Sequence, residues 1–298
     1  MKFTQRTRIE SRDSTTSLAL SPDGALLAVT GFDQKLRAYR TDTMAPVKVV
    51  HLGTSFPHAL CFSPDGRHVA SGGKALVLLD TATWKKGVSL KGHRHEIQGA
   101  AFSPDGARVY TGSGNGYTPS DWTARAWDAA TGAALWKWKA GHMVFAVAAS
   151  PDGRAVAVGD SDGAVTLLDA ETGLPRWTTA VGGWVYRLRF TPDGASVLAS
   201  GDAPQLSALA VDDGALRAIP TASGARAFAL TADGATVILG GTQYGGAMEL
   251  VALDLATGAV RAKGPRVGRL PTGVELSPDG ATLYVLVNDP DELLVFEL

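Results

Sequence analysis

Short stretches of alternating apolar and polar residues run along the whole chain, and turn-forming residues separate them. The stretch "SLAL" (17–20) precedes the phrase "SPDG", and "ALLAVT" (25–30) follows it. Alternation with a period of two is typical of β-strands, because successive side chains point to opposite faces. Proline presets a tight turn, aspartate hydrogen-bonds the backbone, and glycine accepts a positive φ. Each such phrase therefore predicts a turn between two antiparallel strands.

The turn phrase occurs seven times, and its spacing predicts the architecture. It reads SPDG at residues 21, 63, 103, 150 and 277, TPDG at 191 and TADG at 231, so that successive copies are 40 to 47 residues apart. Propeller blades take about 40–50 residues each. A third strand such as "VTLLDA", a turn such as "DAETG" and a fourth strand complete each unit. The sequence therefore predicts an all-β fold, a seven-bladed β-propeller with four antiparallel strands per blade, as a single domain over residues 1–298.

The two ends of the chain are predicted to complete one blade together. The last unit stops after its third strand, at "LLVFEL", and a strand-like segment, residues 2–9, precedes the first unit. This segment would supply the outer strand of blade seven and close the ring. Closure removes exposed strand edges, which otherwise invite aggregation.

Composition narrows the class of protein. The 298 residues are 45% apolar and carry a formal net charge of −1, so no global field attracts nucleic acid or an anionic membrane. The single cysteine, Cys61, forms no internal disulfide, as is usual in a reducing compartment. We find neither a signal-like N-terminus nor an apolar run of about 18 residues. We therefore expect a cytoplasmic protein with no nucleic-acid or membrane partner.

The third unit carries a recognisable set of residues. It has "GH" at 92–93, "WD" at 127–128, Asp121 six residues before Trp127, and Thr111 in the predicted second strand. The whole chain thereby resembles the WD-repeat family of β-propellers. The resemblance implies a structural hydrogen-bonded network of His93, Thr111, Asp121 and Trp127 inside one blade. The fourth unit keeps only His142 and Asp162 of this set.

Three further stretches resemble other propellers. The turns "DAATGAALW" and "DAETGLPRW" look like the tryptophan-docking turns of quinoprotein propellers. The last unit, "SPDGATLYVLVND", is similar to seven-bladed propellers of the phosphogluconolactonase type. Both resemblances imply the same superfamily of folds.

Comparison of the seven copies distinguishes residues that pack between blades from residues that face the central axis. Residues one and three places before each turn phrase are apolar and are predicted to pack between blades. Residues two and four places before it are mostly small, as expected beside a crowded axis, except Arg187 and Arg189 in blade five and Glu275 in blade seven. A charge near the axis must reach water or a partner. Two interpretations remain open: an Arg189–Glu275 pair lining a wet channel, or a site for an anion or carboxylate.

Residues five and seven places before the turn phrase vary widely among the blades and include many aromatics. They lie at the entrance of the first strand, the end where insertions also lengthen the loops 112–122 and 241–248 between strands two and three. Variable loops on a rigid scaffold are where binding usually resides. The predicted partner-binding residues are Phe56, His58, Glu96, Gln98, Met143, Phe145, Trp184, Tyr186 and Arg226 from the entrances, and Tyr117, Trp122 and Tyr244 from the insertions.

The sequence contains few patterns that indicate metal binding or catalysis. The stretches "GHRHE" (92–96), "GDSDG" (159–163) and "NDPDE" (288–292) contain metal-ligand residue types, but a structural histidine and acidic turns explain them more simply. We expect no cofactor, no metal and no catalytic residue. The leading hypothesis is a non-catalytic protein–protein interaction or scaffolding module. The alternative is an enzyme of the lactonase or lyase type, in which Arg187 and Arg189 hold a small anionic substrate at the channel and His58 acts as acid or base.

Overall fold

The computed structural model describes residues 1–10, 15–54, 56–116, 121–222, 224–241, 248–268, 270–288 and 291–298. These residues form seven four-stranded antiparallel sheets, which confirms the predicted all-β, seven-bladed propeller. We number the blades by the turn phrase that each contains. The first strand of every blade contacts the first strand of the next, around a complete circle. The first strands therefore surround the axis, and the fourth strands form the outside.

The blades follow one another in chain order. Blade one contains β2 (Thr15–Leu20), β3 (Leu26–Gly31), β4 (Lys35–Arg40) and β5 (Pro46–His51); blade two contains β6 (Ala59–Phe62), β7 (His68–Gly72), β8 (Ala75–Asp80) and β9 (Lys86–Lys91). Blade three contains β10 (Ile97–Phe102), β11 (Arg108–Ser113), β12 (Thr123–Asp128) and β13 (Ala134–Lys139); blade four contains β14 (Val144–Ala149), β15 (Ala155–Asp160), β16 (Ala164–Asp169) and β17 (Pro175–Ala180). Blade five contains β18 (Val185–Phe190), β19 (Ser196–Gly201), β20 (Gln205–Ala210) and β21 (Leu216–Pro220); blade six contains β22 (Ala225–Leu230), β23 (Thr236–Gly241), β24 (Met248–Asp254) and β25 (Val260–Val267).

Blade seven joins the two ends of the chain, as predicted. It contains β26 (Leu270–Leu276), β27 (Thr282–Asn288), β28 (Glu292–Glu297) and, as its outer strand, β1 (Thr4–Glu10). The register of the last pair runs from Thr4 opposite Glu297 to Glu10 opposite Glu292. The N-terminal strand therefore closes the ring.

The turn phrase makes the same hydrogen bonds in every blade. In blade one, Ser21 Oγ donates to Asp23 Oδ1 (2.6 Å) and accepts from the N–H of Leu26 (2.8 Å), while the N–H of Ala25 donates to the same carboxylate (3.0 Å). The bond from Ser21, followed by that from Ala25, lowers the pKa of Asp23. The glycine that follows has a positive φ between 70° and 72° in all seven copies, which a side chain would disfavour. The phrase therefore recurs for a structural reason.

Tryptophans hold neighbouring blades together on the outside. Trp136 of β13 donates its indole N–H to the carbonyl of Ala170 in blade four (3.0 Å), and Trp177 of β17 donates to that of Val211 in blade five (2.8 Å). A Cβ on Gly173 would come within 2.7 Å of the Trp136 ring, so the turn needs glycine there. This is the docking arrangement that the quinoprotein-like turns imply. Among the described residues, no helix is long and apolar enough to cross a bilayer.

Candidate functional site

The entrances of the first strands surround a pocket at the end of the ring opposite the SPDG-type turns. The pocket, which we name the mouth pocket, has a volume of about 450 Å³. Asn115 and Gly116 of the first insertion also line it, so strand entrances and an insertion meet at one end. Seven of the predicted residues line it: His58, Gln98, Met143, Phe145, Trp184, Tyr186 and Arg226.

A β-bulge at the entrance of six first strands explains how these side chains reach the pocket. In a regular strand, the residue five places before the turn phrase would face the same way as the apolar residues that pack between blades. The pairing with the second strand skips that residue, and such an extra residue reverses the alternation. The skipped residues are Thr16, Gln98, Phe145, Tyr186, Arg226 and Thr272.

Three aromatic side chains of blades four and five form one wall of the mouth pocket. The ring of Phe145 lies 5.2 Å from that of Trp184 and 5.6 Å from that of Tyr186, between centroids. Arg226 of blade six places its guanidinium 4.6 Å from the Tyr186 ring centroid, a cation–π contact. Trp184 is 42% exposed although it is large and apolar. We name Phe145, Trp184 and Tyr186 the aromatic cluster.

A second group of rings lies in blades one and two. Phe56 and Phe32 contact edge to face at 5.6 Å, and both contact His58, which lines the mouth pocket. Phe56 has a φ of 54°, in the left-handed region that a bulky residue rarely adopts, and β6 begins only at Ala59. Phe32 was not among the residues predicted from the sequence. Phe32 could have been predicted from its position, because it is a large apolar residue in the short loop between strands two and three of blade one. This loop lies at the same end of the ring as the insertions.

The remaining predicted residues lie beside or outside the pocket. Trp122 stacks on His142 (5.3 Å) and donates its indole N–H to the carbonyl of Asn115 (2.9 Å), so it supports the insertion. Burial lowers the pKa of His58, and the nearby Glu96 carboxylate offsets part of this. Tyr117 and Tyr244, with residues 118–120 and the rest of 242–247, lie outside the described residues.

A second cavity of about 460 Å³ continues from the mouth pocket along the axis, and we name it the channel. Arg187 and His58 line both cavities. One carboxylate receives both arginines: Glu275 lies 2.5 Å from Arg189 Nη2 and 3.3 Å from Arg187 Nη2. Burial lowers the pKa of Arg187 and Glu275 offsets part of this, while an arginine remains charged in proteins. Burial also raises the pKa of the Cys61 thiol to about 12, so this side chain of the channel is unreactive.

The structure brings His93, Thr111, Asp121 and Trp127 together inside blade three. The indole N–H of Trp127 donates to Thr111 Oγ1 (2.8 Å), and Thr111 Oγ1 lies 2.8 Å from His93 Nε2. His93 Nδ1 lies 3.0 Å from Asp121 Oδ2. These contacts place the proton of a neutral His93 on Nδ1, facing the carboxylate. Both ring nitrogens are therefore engaged in holding the blade together.

The other stretches with metal-ligand residue types also have structural contacts. The carboxylate of Asp160 accepts the N–H groups of Asp162 (3.0 Å) and Ala164 (2.9 Å), which makes 159–163 an acidic turn. Within the described ranges no three ligand-type side chains converge on one point. Residues 289 and 290 of the last acidic stretch lie outside those ranges.

Two histidines, buried His93 and partly buried His58, predict how stability depends on pH. Burial lowers the pKa of both His58 and His93 below their ordinary value of 6.5. The unfolded chain therefore takes up protons that the folded chain does not, so this part of the stability is present above pH 6.5 and is lost as pH falls through the folded pKa values. We expect the unfolding midpoint in urea to decrease between about pH 7.5 and pH 5.5. His58→Gln should flatten this dependence, and an identical slope in both proteins would contradict it.

The fold and the blade-three network define the class of protein, a β-propeller with WD repeats. The family model described as "WD domain, G-beta repeat" matches residues 4–40, 46–76 and 84–128. The PQQ_2 model, described as "Outer membrane protein assembly factor BamB", matches residues 120–285, which is more than half of the chain. The chain therefore belongs to the PQQ_2 family of β-propellers and carries WD repeats in its first half.

One curated relative has a similar segment. The meiotic recombination protein rec14 of Schizosaccharomyces pombe (strain 972 / ATCC 24843) is 34% identical over 92 residues. That segment covers 30% of this chain and 30% of rec14. The chain thus matches less than a third of the relative's length.

Proposed function

We propose that this chain is a non-catalytic interaction module that binds a protein or peptide segment at the mouth pocket. The main observation behind this proposal is the aromatic cluster, which is partly exposed on the wall of the mouth pocket. The bulges at the strand entrances hold it in that position. Exposed aromatic rings next to an arginine are the residues most often found at binding hot spots. The WD repeats support the proposal, because WD propellers generally bind protein partners.

Loss of the aromatic cluster is expected to abolish partner capture. Truncation of Trp184 or Tyr186 to alanine should each cost about 2 kcal/mol or more of binding free energy if the residue is a hot spot. A pull-down from a lysate of the native cell should compare the wild type with a Phe145→Ala, Trp184→Ala, Tyr186→Ala triple variant. Both proteins must first show equal thermal unfolding.

A matched control uses an exposed apolar residue at the other end of the ring. Leu174 is 66% exposed in the turn before β17, so Leu174→Ala removes surface apolar area without touching the mouth pocket. Proteins retained by the wild type and by Leu174→Ala, and lost with the triple variant, would support the proposal. Equal retention by all three would remove this site.

The two arginines of the channel favour a second candidate. Arg187 and Arg189 share the single carboxylate of Glu275, and His58 lines both cavities. An enzyme of the lactonase or lyase type would use the arginines to hold a small anionic substrate and His58 as acid or base. Unchanged protein capture by the triple variant, together with turnover of a small lactone that Arg189→Gln abolishes, would favour this candidate over the first.

A further inference from the structure

The channel holds more positive than negative charge. Two guanidinium groups, those of Arg187 and Arg189, face one carboxylate, that of Glu275. Glu275 is 13% exposed, and its shorter contact, 2.5 Å, is with Arg189. The charge of Glu275 is therefore balanced by Arg189, and Arg187 is the cation in excess. A partly buried cation is stabilised when an anion pairs with it.

Arg187 has hydrogen-bonding capacity left over. An arginine carries several N–H donors in a planar fork that matches a carboxylate. Within the described residues, the bond to Glu275 at 3.3 Å is the one hydrogen bond that its side chain makes. The residues at the same strand position in blades three and four are Gly99 and Ala146, which also line the channel. Because they are small, their side chains do not fill the space beside Arg187. A carboxylate entering the channel would meet a free edge of this guanidinium.

The mouth pocket leads to Arg187, and a second arginine, Arg226, lines its wall. Arg187 lines the pocket and the channel, and Arg226 lines the pocket beside Tyr186. Among the described lining residues of the mouth pocket there is no aspartate or glutamate. The walls on the way in are the aromatic cluster on one side and Phe32 with His58 on the other. A ligand that fits both parts has apolar groups at the rim and one negative group at its tip.

We infer that the segment bound at the mouth pocket presents an aspartate or glutamate, flanked by apolar residues, whose carboxylate enters the channel and binds Arg187. This inference rests on the proposed function and specifies the partner's chemistry. A carboxylate on a peptide accounts for both the apolar walls and the excess cation. A free small carboxylate would account for the cation alone.

Selection from a phage-displayed library of random dodecapeptides tests this inference. The baits are the wild type, the triple variant of the aromatic cluster, and Arg187→Gln, in which Arg189 still pairs with Glu275. Peptides enriched on the wild type over the triple variant should contain a common acidic residue next to apolar ones. Selection on Arg187→Gln should retain the apolar preference and lose the acidic one.

Binding of one selected peptide gives the quantitative test. Replacing its acidic residue by the matching amide should weaken binding to the wild type about tenfold or more, as for a hydrogen bond between charged groups. The same replacement should change binding to Arg187→Gln by less than about twofold, because the partner group is already absent. Arg187→Lys should keep part of the acidic preference, and Arg67→Gln, at an 82% exposed arginine, should keep all of it.

Different negative results would overturn the inference and the proposed function. Enriched peptides without a common acidic residue, or equal binding of the acid and amide peptides, would overturn the inference and leave the proposed function standing. No enrichment over the triple variant would remove the proposed function itself. If succinate then raised the melting temperature of the wild type but not of Arg187→Gln, the channel would be a site for small anions, and the inference would also be overturned.

Discussion

Deletion of residues 1–10 is expected to turn the closed ring into an unfolded or aggregating chain. These residues contain β1, the whole outer strand of blade seven. Phe3 packs on the core between blades six and seven, and Ile9 packs on the core between blades seven and one. Without them, β28 becomes an open edge with four buried apolar residues, Leu293 to Phe296, next to it. Such an edge is a template for aggregation.

Loss of an ion pair between a half-exposed arginine and a buried glutamate adds to the effect of this deletion. Arg8 of β1 pairs with Glu292, whose side chain is 6% exposed. Removal of β1 takes away this counter-ion and also uncovers the carboxylate, and because Arg8 is 52% exposed the lost pair costs no more than about 1 kcal/mol. The deletion should therefore lower the thermal unfolding midpoint or abolish a cooperative transition, and light scattering should detect aggregates.

A shorter deletion provides the control. Met1 and Lys2 are exposed and precede β1, so removal of these two residues should leave the unfolding midpoint unchanged. Arg6→Ala should also be nearly neutral, because its ion pair with Glu297 is more than half exposed on both sides. If the chain without residues 1–10 remained monomeric and kept the wild-type thermal unfolding midpoint, the ring would not need β1 for its closure. That result would contradict the prediction.

The turn phrases made most of the architecture predictable. Their chemistry is local: a hydroxyl, a carboxylate and a glycine with positive φ form the same turn wherever they occur, independent of distant contacts. Seven copies at a blade-like spacing then predicted the number of blades, and an unpaired third strand at one end predicted the closing strand at the other. These steps needed no knowledge of tertiary contacts.

The candidate binding face was predicted from the variation among the seven sequence copies, but its geometry was not. Strict alternation would have placed Phe145, Tyr186 and Arg226 between the blades, with the apolar residues two and four places after them. A bulge at each strand entrance turns them to the pocket instead. A bulge is a property of backbone pairing and has no fixed residue signature, so the sequence did not reveal it. Contacts across blades, such as Phe32 with His58, were likewise invisible.

The arrangement of the charged residues near the axis was predicted only in part. Alternation predicted that Arg187, Arg189 and Glu275 lie near the axis, and all three line the channel. The sequence suggested a pair of Arg189 and Glu275, and the structure places both arginines on that one carboxylate. Which cation remains in excess depends on distances of 2.5 and 3.3 Å across the channel, which a sequence does not contain.

Replacement of Asp121 by alanine is expected to destabilise blade three strongly. Its carboxylate is 1% exposed and accepts from the N–H of Arg94 (2.6 Å), Thr123 Oγ1 (2.9 Å) and Arg125 Nη2 (2.9 Å), besides its contact with His93. Burial alone would raise the pKa of Asp121, but the hydrogen bonds from His93 and the Arg94 N–H hold it well below its usual value. The aspartate is therefore charged and accepts from these four donors, and Ser113 Oγ (3.2 Å) and the N–H of His95 (3.5 Å) also donate to it.

Removal of this carboxylate leaves those buried donors unpaired, which should reduce the free energy of unfolding by about 3–5 kcal/mol. Asp121→Asn keeps one acceptor oxygen and should cost less. The matched control is Asp162→Ala at the equivalent position of blade four, where the carboxylate is 71% exposed and 3.7 Å from His142. That change should stay within about 0.5 kcal/mol in urea unfolding, as for other exposed pairs. Equal losses at the two positions would show that the network of blade three contributes nothing beyond an ordinary surface ion pair.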